Sequence, residues 1–189
     1  MVDMQLIVPR INIPLFQMKL YSRERLEAAF LILSGIPREN INLRKWRDGR
    51  GPNGEPLPLC RTIACGAGWL CMHPDMNELG LAFSESHRWL VSPVYTHRGK
   101  KYVGVEALGR FLTSESKERG VFVGAPSYGT MGVILFSPRG ASGMDRHLFA
   151  SQGIVRSLAG LDEESDRDVL SDRQLLLGRI HYAYHHMSE

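Results

Sequence analysis

Short amphipathic segments separated by glycine and proline constrain the fold of this 189-residue chain more than any other feature. The first segment begins at Ser22, a residue type that caps helix N-termini well, and ends at Gly35 and Pro37. Its apolar residues recur at the spacing of one helical face, which carries Leu26, Phe30 and Leu33. The segment therefore predicts an amphipathic helix.

The last segment carries the clearest helix signal. Ser171 and Gln174 match a capping box, in which the side chain of each residue accepts a hydrogen bond from the backbone N–H of the other. The residues that follow place Leu176, Ile180 and Tyr184 on one face. We therefore expect a terminal helix through "DRQLLLGRIHYAYHH".

Shorter helices are predicted between these two. Thr62 can cap a helix from Ile63 to about Met72, which Pro74 ends because proline disfavours helix at the preceding residue. "DMNELG" predicts one more helical turn, ended by Gly80 in a left-handed conformation. "VEALGRFL" and "TSESKERGVF" predict two further short helices.

A small amount of β-structure is also expected. Aromatic and β-branched residues flank the "HRGK" turn and predict a hairpin, and "MGVILF" predicts a strand or a buried turn. Residues 1–20 are interpreted as an N-terminal extension and residues 129–170 as an insertion. The predicted fold over residues 1–189 is one compact, mainly α, multi-helix domain with a small β-hairpin and one irregular insertion.

Composition excludes several classes of protein. With 43% hydrophobic and 23% charged residues, the chain resembles soluble globular domains. No apolar run approaches the roughly 18 to 20 residues that span a bilayer, and the N-terminus lacks the basic region and cleavage site of a signal peptide. A cytoplasmic protein with reduced thiols and no membrane contact is therefore expected. The net charge of +3 is small for a committed nucleic-acid binder.

All three cysteines lie in one stretch, "CRTIACGAGWLCMHP". Structural zinc needs four thiolate or imidazole ligands, commonly with close cysteine pairs. Cys65 and Cys71 are six residues apart and point in different directions on one helix, so they cannot share an ion. Cys60, Cys65 and His73 remain candidate zinc ligands, with further ligands supplied from elsewhere.

Two other interpretations of the cysteines stay open. Cys65 would lie in the first helical turn, where the helix dipole lowers a thiol pKa, so it could act as a nucleophile beside a histidine. The simpler interpretation is a tightly packed helix, because free cysteine is among the most buried residue types. Gly66 and Gly68 favour this, since they allow another element to approach the backbone closely.

Basic and histidine-rich stretches suggest further binding sites. The cations Arg44, Lys45 and Arg47 surround Trp46, and cations beside an aromatic ring can hold single-stranded nucleic acid. "HRGKK" adds three more cations: Arg98, Lys100 and Lys101. His181 and His185 are one helical turn apart, a spacing that can hold a metal, although the zinc-protease pattern H-E-x-x-H is absent.

The order of these elements resembles a group of small proteins encoded by bacteriophages and bacteria. The signature of that group is approximately C-G-T-x-A-C-x-x-G, which Cys60, Thr62, Ala64, Cys65 and Gly68 match, whereas an arginine follows Cys60 in place of the usual glycine. The resemblance covers residues 22–128 and 171–187. It implies an origin and a fold class, and it implies no chemistry.

These observations predict a non-enzymatic phage or bacterial accessory protein that binds a host or defence protein. No nucleotide-binding loop or G-x-S-x-G elbow is present. We expect the contact surface to include exposed aromatic residues and cations, namely Trp89, Tyr95, Arg139 and Arg146. The alternatives are a metal- or thiol-dependent enzyme that uses Cys60, Cys65 and histidines, and a nucleic-acid-binding protein that uses the Trp46 cluster. Only the first alternative implies a cofactor, zinc.

Overall fold

The computed structural model describes residues 19–43, 64–84, 92–114, 117, 126–136 and 171–189. The helices are α1 (Arg23–Ser34), α2 (Gly66–Met72), α3 (Pro74–Glu78), α4 (Val105–Phe111), α5 (Tyr128–Phe136) and α6 (Asp172–His186), with a 3-10 turn at Arg38–Asn40. The strands are β1 (Leu81–Phe83), β2 (Pro93–His97) and β3 (Lys100–Val103), in an antiparallel sheet of order β1-β2-β3. The predicted mainly α fold with a small β-hairpin is confirmed. No helix among the described residues is long and apolar enough to cross a membrane.

Helices α1 and α6 form where their caps predict them. The Ser22 hydroxyl accepts a hydrogen bond from the Arg25 N–H at 3.4 Å and so caps α1. Both hydrogen bonds of the predicted capping box between Ser171 and Gln174 are present, at 3.2 and 2.9 Å. The two helices pack against each other, and their buried residues include Leu26, Ala29, Leu33, Leu176 and Ile180.

The backbones of α4 and α5 come into close contact. A Cβ atom at Gly109 would overlap the carbonyl oxygen of Tyr128, and one at Gly132 would overlap the carbonyl oxygen of Val105. Only glycine therefore permits this separation of the two helices.

The "MGVILF" stretch corrects one prediction. It forms all of α5 after the first three residues, so its assignment to a strand or buried turn is wrong. Met131, Ile134 and Leu135 follow helical spacing and are buried, and this packing against α4 overrides the β-propensity of valine and isoleucine. The segment 129–170, predicted to be an insertion, thus begins inside a core helix, while its residues 137–170 lie outside the described ones.

The sheet contains the predicted hairpin and one unpredicted strand. Arg98 and Gly99 both have positive φ, 49° and 75°, in the turn that joins β2 to β3. Gly80 has φ 90°, as predicted for the end of α3. Strand β1 places Leu81 opposite Tyr95, but its three residues are too few to show an alternating pattern in the sequence.

Both ends of the described chain meet in one place. The N–H groups of Leu20 and Tyr21 donate to the Met187 carbonyl at 2.8 and 2.9 Å, and the Tyr21 carbonyl accepts from the Glu189 N–H at 3.1 Å. We call these pairings the terminal clasp. Leu20 and Tyr21 are fully buried, so the last residue of the predicted extension 1–20 belongs to the core. Residues 1–18 lie outside the described chain.

Candidate functional site

Cys65 precedes the cysteine-rich helix instead of lying in its first turn. Ala64 forms an isolated bridge with Ile41, so the helix cannot begin at Ile63 as predicted. The Cys65 Sγ accepts a hydrogen bond from the Gly68 N–H at 3.4 Å and caps α2. Every residue from Gly66 to Cys71 is buried, which confirms the interpretation as a tightly packed helix.

Burial controls the chemistry of both described thiols. It raises the pKa of Cys65 from 9.0 to about 11, although backbone N–H groups at Gly68 and Ala67 partly oppose the rise. Burial, reinforced by the neighbouring Cys65, raises the pKa of Cys71 further. The expectation that a helix dipole lowers the pKa of Cys65 is therefore wrong. Cys60 lies outside the described residues, and a catalytic use of it stays a prediction.

We expect these shifts to make the fold sensitive to alkali. The folded pKa of Cys65 lies above the unfolded value, so its contribution is fully present below pH 9.0 and declines as the pH rises to about 11. At pH 10.5 the loss from Cys65 alone is about 2 kcal/mol, because the unfolded chain releases a proton that the folded chain keeps. Urea denaturation of a Cys60→Ser variant at pH 8 and pH 10.5 measures this loss.

Replacing Cys65 by alanine in that background supplies the matched control. Cys65→Ala should lower stability at pH 8, but it should reduce the further loss between pH 8 and 10.5 by about 2 kcal/mol. The native Cys60→Ser protein should also react with an aromatic disulfide reagent at pH 8 far more slowly than the urea-unfolded protein does. An equal alkaline loss in both proteins, or fast reaction of the native thiols, contradicts the assignment.

The described residues do not include a complete set of zinc ligands. The Nδ1 of His73 lies 3.9 Å from an Asp75 carboxylate oxygen, just after α2. Among the residues that the structure describes, no group of three or more histidine, cysteine, aspartate or glutamate side chains could hold a metal ion. Because Cys60 falls outside this part of the chain, a zinc site formed by Cys60, Cys65 and His73 stays a prediction.

Tyr95 is in the core, and its assignment to an exposed contact surface is wrong. Its side chain is 2% exposed and meets the Phe111 ring edge-on, with centroids 5.4 Å apart. Its hydroxyl lies 3.1 Å from the His97 Nδ1 and 3.5 Å from an Arg25 guanidinium nitrogen, which explains how a tyrosine is accommodated there. The other residues predicted for this surface lie outside the described chain: Trp89, Arg139 and Arg146.

A second aromatic cluster ties the hairpin to two helices. The Arg110 guanidinium carbon lies 4.0 Å from the ring centroids of both Tyr102 and Tyr128, and Arg110 Nε donates to Glu106 at 2.9 Å. Through these contacts Arg110 links α4 to β3 and α5. The hairpin cations Arg98, Lys100 and Lys101 are exposed. The Trp46 cluster consists of Arg44, Lys45, Trp46 and Arg47 and lies outside the described residues. Its nucleic-acid role therefore stays a prediction.

A groove of about 240 Å³ lies between α1 and α6. Two fully buried residues, Leu26 and Ile180, form its floor. Leu31 is 65% exposed on its α1 side, a large value for a leucine. The remaining lining residues are Glu27, Phe30, His181, Tyr184 and His185. The groove thus combines an apolar floor with aromatic and polar walls.

Two histidines form the α6 wall of this groove. The rings of His181 and His185 have centroids 4.3 Å apart, and His185 is exposed. Burial lowers the pKa of His181, and the neighbouring His185 and His186 lower it further. His181 therefore loses its proton at a lower pH than a free imidazole does. At the same end of α6, the Arg23 guanidinium carbon lies 4.8 Å from the Tyr184 ring centroid.

One residue in the sequence, Leu31, indicates this groove, although helical periodicity alone does not predict it. Leu31 is apolar but falls outside the predicted buried face of α1, which carries Leu26, Phe30 and Leu33. An apolar residue beside a buried face marks a surface that extends past the core. Its importance depends on α6 lying alongside, which the sequence does not reveal.

Comparison with known proteins returns no relative for this fold or this groove. The chain matches no protein-family model, and no curated protein or solved structure is significantly similar to it. The resemblance to small phage and bacterial proteins therefore stays a prediction.

Proposed function

We propose that this protein is a non-enzymatic accessory protein that binds an apolar segment of another protein in the groove between α1 and α6. The exposure of Leu31 carries the proposal: 65% of this leucine faces solvent beside a preformed concave surface. Exposed apolar side chains grouped around a groove are typical of protein-binding sites.

The size and lining of the groove favour a peptide segment over a small-molecule substrate. Its volume of about 240 Å³ is below the roughly 300–1,000 Å³ of usual ligand sites. A few apolar side chains from one face of a partner helix suit such a space. Phe30 and Tyr184 are half-buried at its walls and offer rigid contact surfaces of the kind that dominates binding energies.

The origin of the partner rests on the sequence resemblance. A chain that resembles small phage and bacterial proteins fits a role in the bacterial cytoplasm. We therefore propose a host or defence protein as the partner.

A charge introduced at Leu31 tests the groove. We expect Leu31→Glu to weaken capture of the partner from bacterial lysate at least about tenfold, because a carboxylate would be desolvated against the Leu26 and Ile180 floor. Stability should change by less than about 0.5 kcal/mol, since the side chain is exposed in the free protein. Quantitative affinity capture and thermal denaturation measure the two effects.

Leu79→Glu is the matched control. Leu79 is 54% exposed just after α3 and does not line the groove. The proposal requires that wild type and Leu79→Glu recover the same protein, and that Leu31→Glu does not. Equal recovery by all three proteins places the contact elsewhere, and the absence of any specifically captured protein overturns the binding role.

A further inference from the structure

Two imidazoles on α6, those of His181 and His185, are in direct ring contact. His181 and His185 are four residues apart, so they lie one helical turn apart on one face. Their ring centroids are 4.3 Å apart with an interplanar angle of 56°. A pair of histidines at this spacing on a regular helix can direct two nitrogens at one ion.

The helix that carries the pair is well fixed. Helix α6 has 15 residues, a complete capping box at its start and a buried face formed by Leu176, Ile180 and Ala183. His181 is half-buried and His185 exposed, so both rings border the groove without leaving the helix. A rigid backbone beneath two ligands reduces the ordering that metal binding requires.

The described part of the chain offers no third ligand already in place beside this pair. Glu27 lines the same groove from α1, but the described residues contain no preassembled group of three metal-binding side chains. Among the residues that the structure describes, the site therefore has two nitrogen ligands. Imidazole ligands suit zinc, copper and nickel, whereas magnesium and calcium prefer oxygen ligands.

We propose that His181 and His185 together bind a late first-row divalent cation, such as Zn²⁺, Ni²⁺ or Cu²⁺, with the remaining coordination positions facing the groove between α1 and α6. This site is separate from the predicted Cys60, Cys65 and His73 site. It does not depend on the proposed partner binding, because the isolated protein suffices to form it.

The adjacent histidine supplies a control. His186 is exposed like His185, but its ring packs against Tyr182, with centroids 4.5 Å apart. A general attraction between cations and the negative C-terminal end of a helix would treat His185 and His186 alike. Chelation depends on His185 and not on His186.

Titration calorimetry of the untagged, metal-stripped protein with Zn²⁺ tests the site. A Cys60→Ser background removes the candidate thiol site. We expect one ion per chain, at least about tenfold weaker binding in His185→Ala, and a change of less than twofold in His186→Ala. Cu²⁺ electron paramagnetic resonance should show two coupled imidazole nitrogens in the background protein and one in His185→Ala.

Three results would overturn the site. They are less than a tenth of an ion per chain, an unchanged affinity in His185→Ala, or equal losses in His185→Ala and His186→Ala. Because His185 is exposed, its replacement should leave the thermal midpoint of the metal-free protein unchanged, which separates lost chelation from lost folding.

Discussion

Replacing Gly109 by alanine should lower the free energy of unfolding by about 3 kcal/mol or more. The new Cβ would overlap the Tyr128 carbonyl, a backbone atom that cannot move without displacing α5. The same result is expected for Gly132→Ala, whose Cβ would overlap the Val105 carbonyl. Alanine is the better helix former by up to about 1 kcal/mol, so the steric cost must exceed this gain for a net loss to appear.

Gly129 provides the matched control within α5. A Cβ at Gly129 would lie 3.8 Å from the Ser127 hydroxyl, an ordinary van der Waals distance. Gly129→Ala should therefore be neutral or stabilising by up to about 1 kcal/mol. Chemical denaturation followed by circular dichroism compares the three variants. Equal free energies of unfolding for Gly109→Ala, Gly132→Ala and Gly129→Ala would contradict the close backbone contact between α4 and α5.

Replacing Tyr95 by alanine should cost about 3–5 kcal/mol, because it removes a buried aromatic ring from the contact with Phe111. Tyr95→Phe keeps the ring and loses only the hydroxyl contacts with His97 and Arg25, so it should cost about 1 kcal/mol. The difference between the two variants measures the packing of the ring. Urea denaturation with the folded baseline checked by near-ultraviolet circular dichroism gives both values.

The neighbouring residue distinguishes a core role from a surface role. Thr96 is exposed on the same strand, and Thr96→Ala should change stability by less than about 0.5 kcal/mol. An equally small effect of Tyr95→Ala would contradict the burial of Tyr95 and would place its ring at the surface.

Local signals in the sequence predict much of this fold because capping and turn chemistry act within a few residues. Ser22, the Ser171–Gln174 pair and Gly80 each mark an element boundary that the structure confirms. The start of α2 escapes prediction because a cysteine acts as its cap, and Thr62 is a better cap by type. Helix α5 escapes prediction because its conformation depends on α4, a neighbour that the local sequence does not specify.

The candidate groove shows the same division between local and long-range information. The sequence predicts that His181 and His185 share one face, since this depends on a single helix. The groove itself depends on α1 lying beside α6, and on Leu31 remaining uncovered there. For Tyr95 the sequence predicts the wrong environment, because an aromatic residue near a turn is often exposed. Its burial depends on the contact between β2 and Phe111, which the local sequence does not specify.

The terminal clasp has a consequence for biosynthesis. Tyr21 can form its bonds only after Met187 and Glu189 have been made, near the far end of the sequence. At about 5–20 residues per second, α1 waits on the order of ten to thirty seconds for these partners. During that time its apolar face has no α6 to cover it. Until α6 has been made, only other segments of the nascent chain, the ribosome surface or chaperones can shield the apolar face of α1.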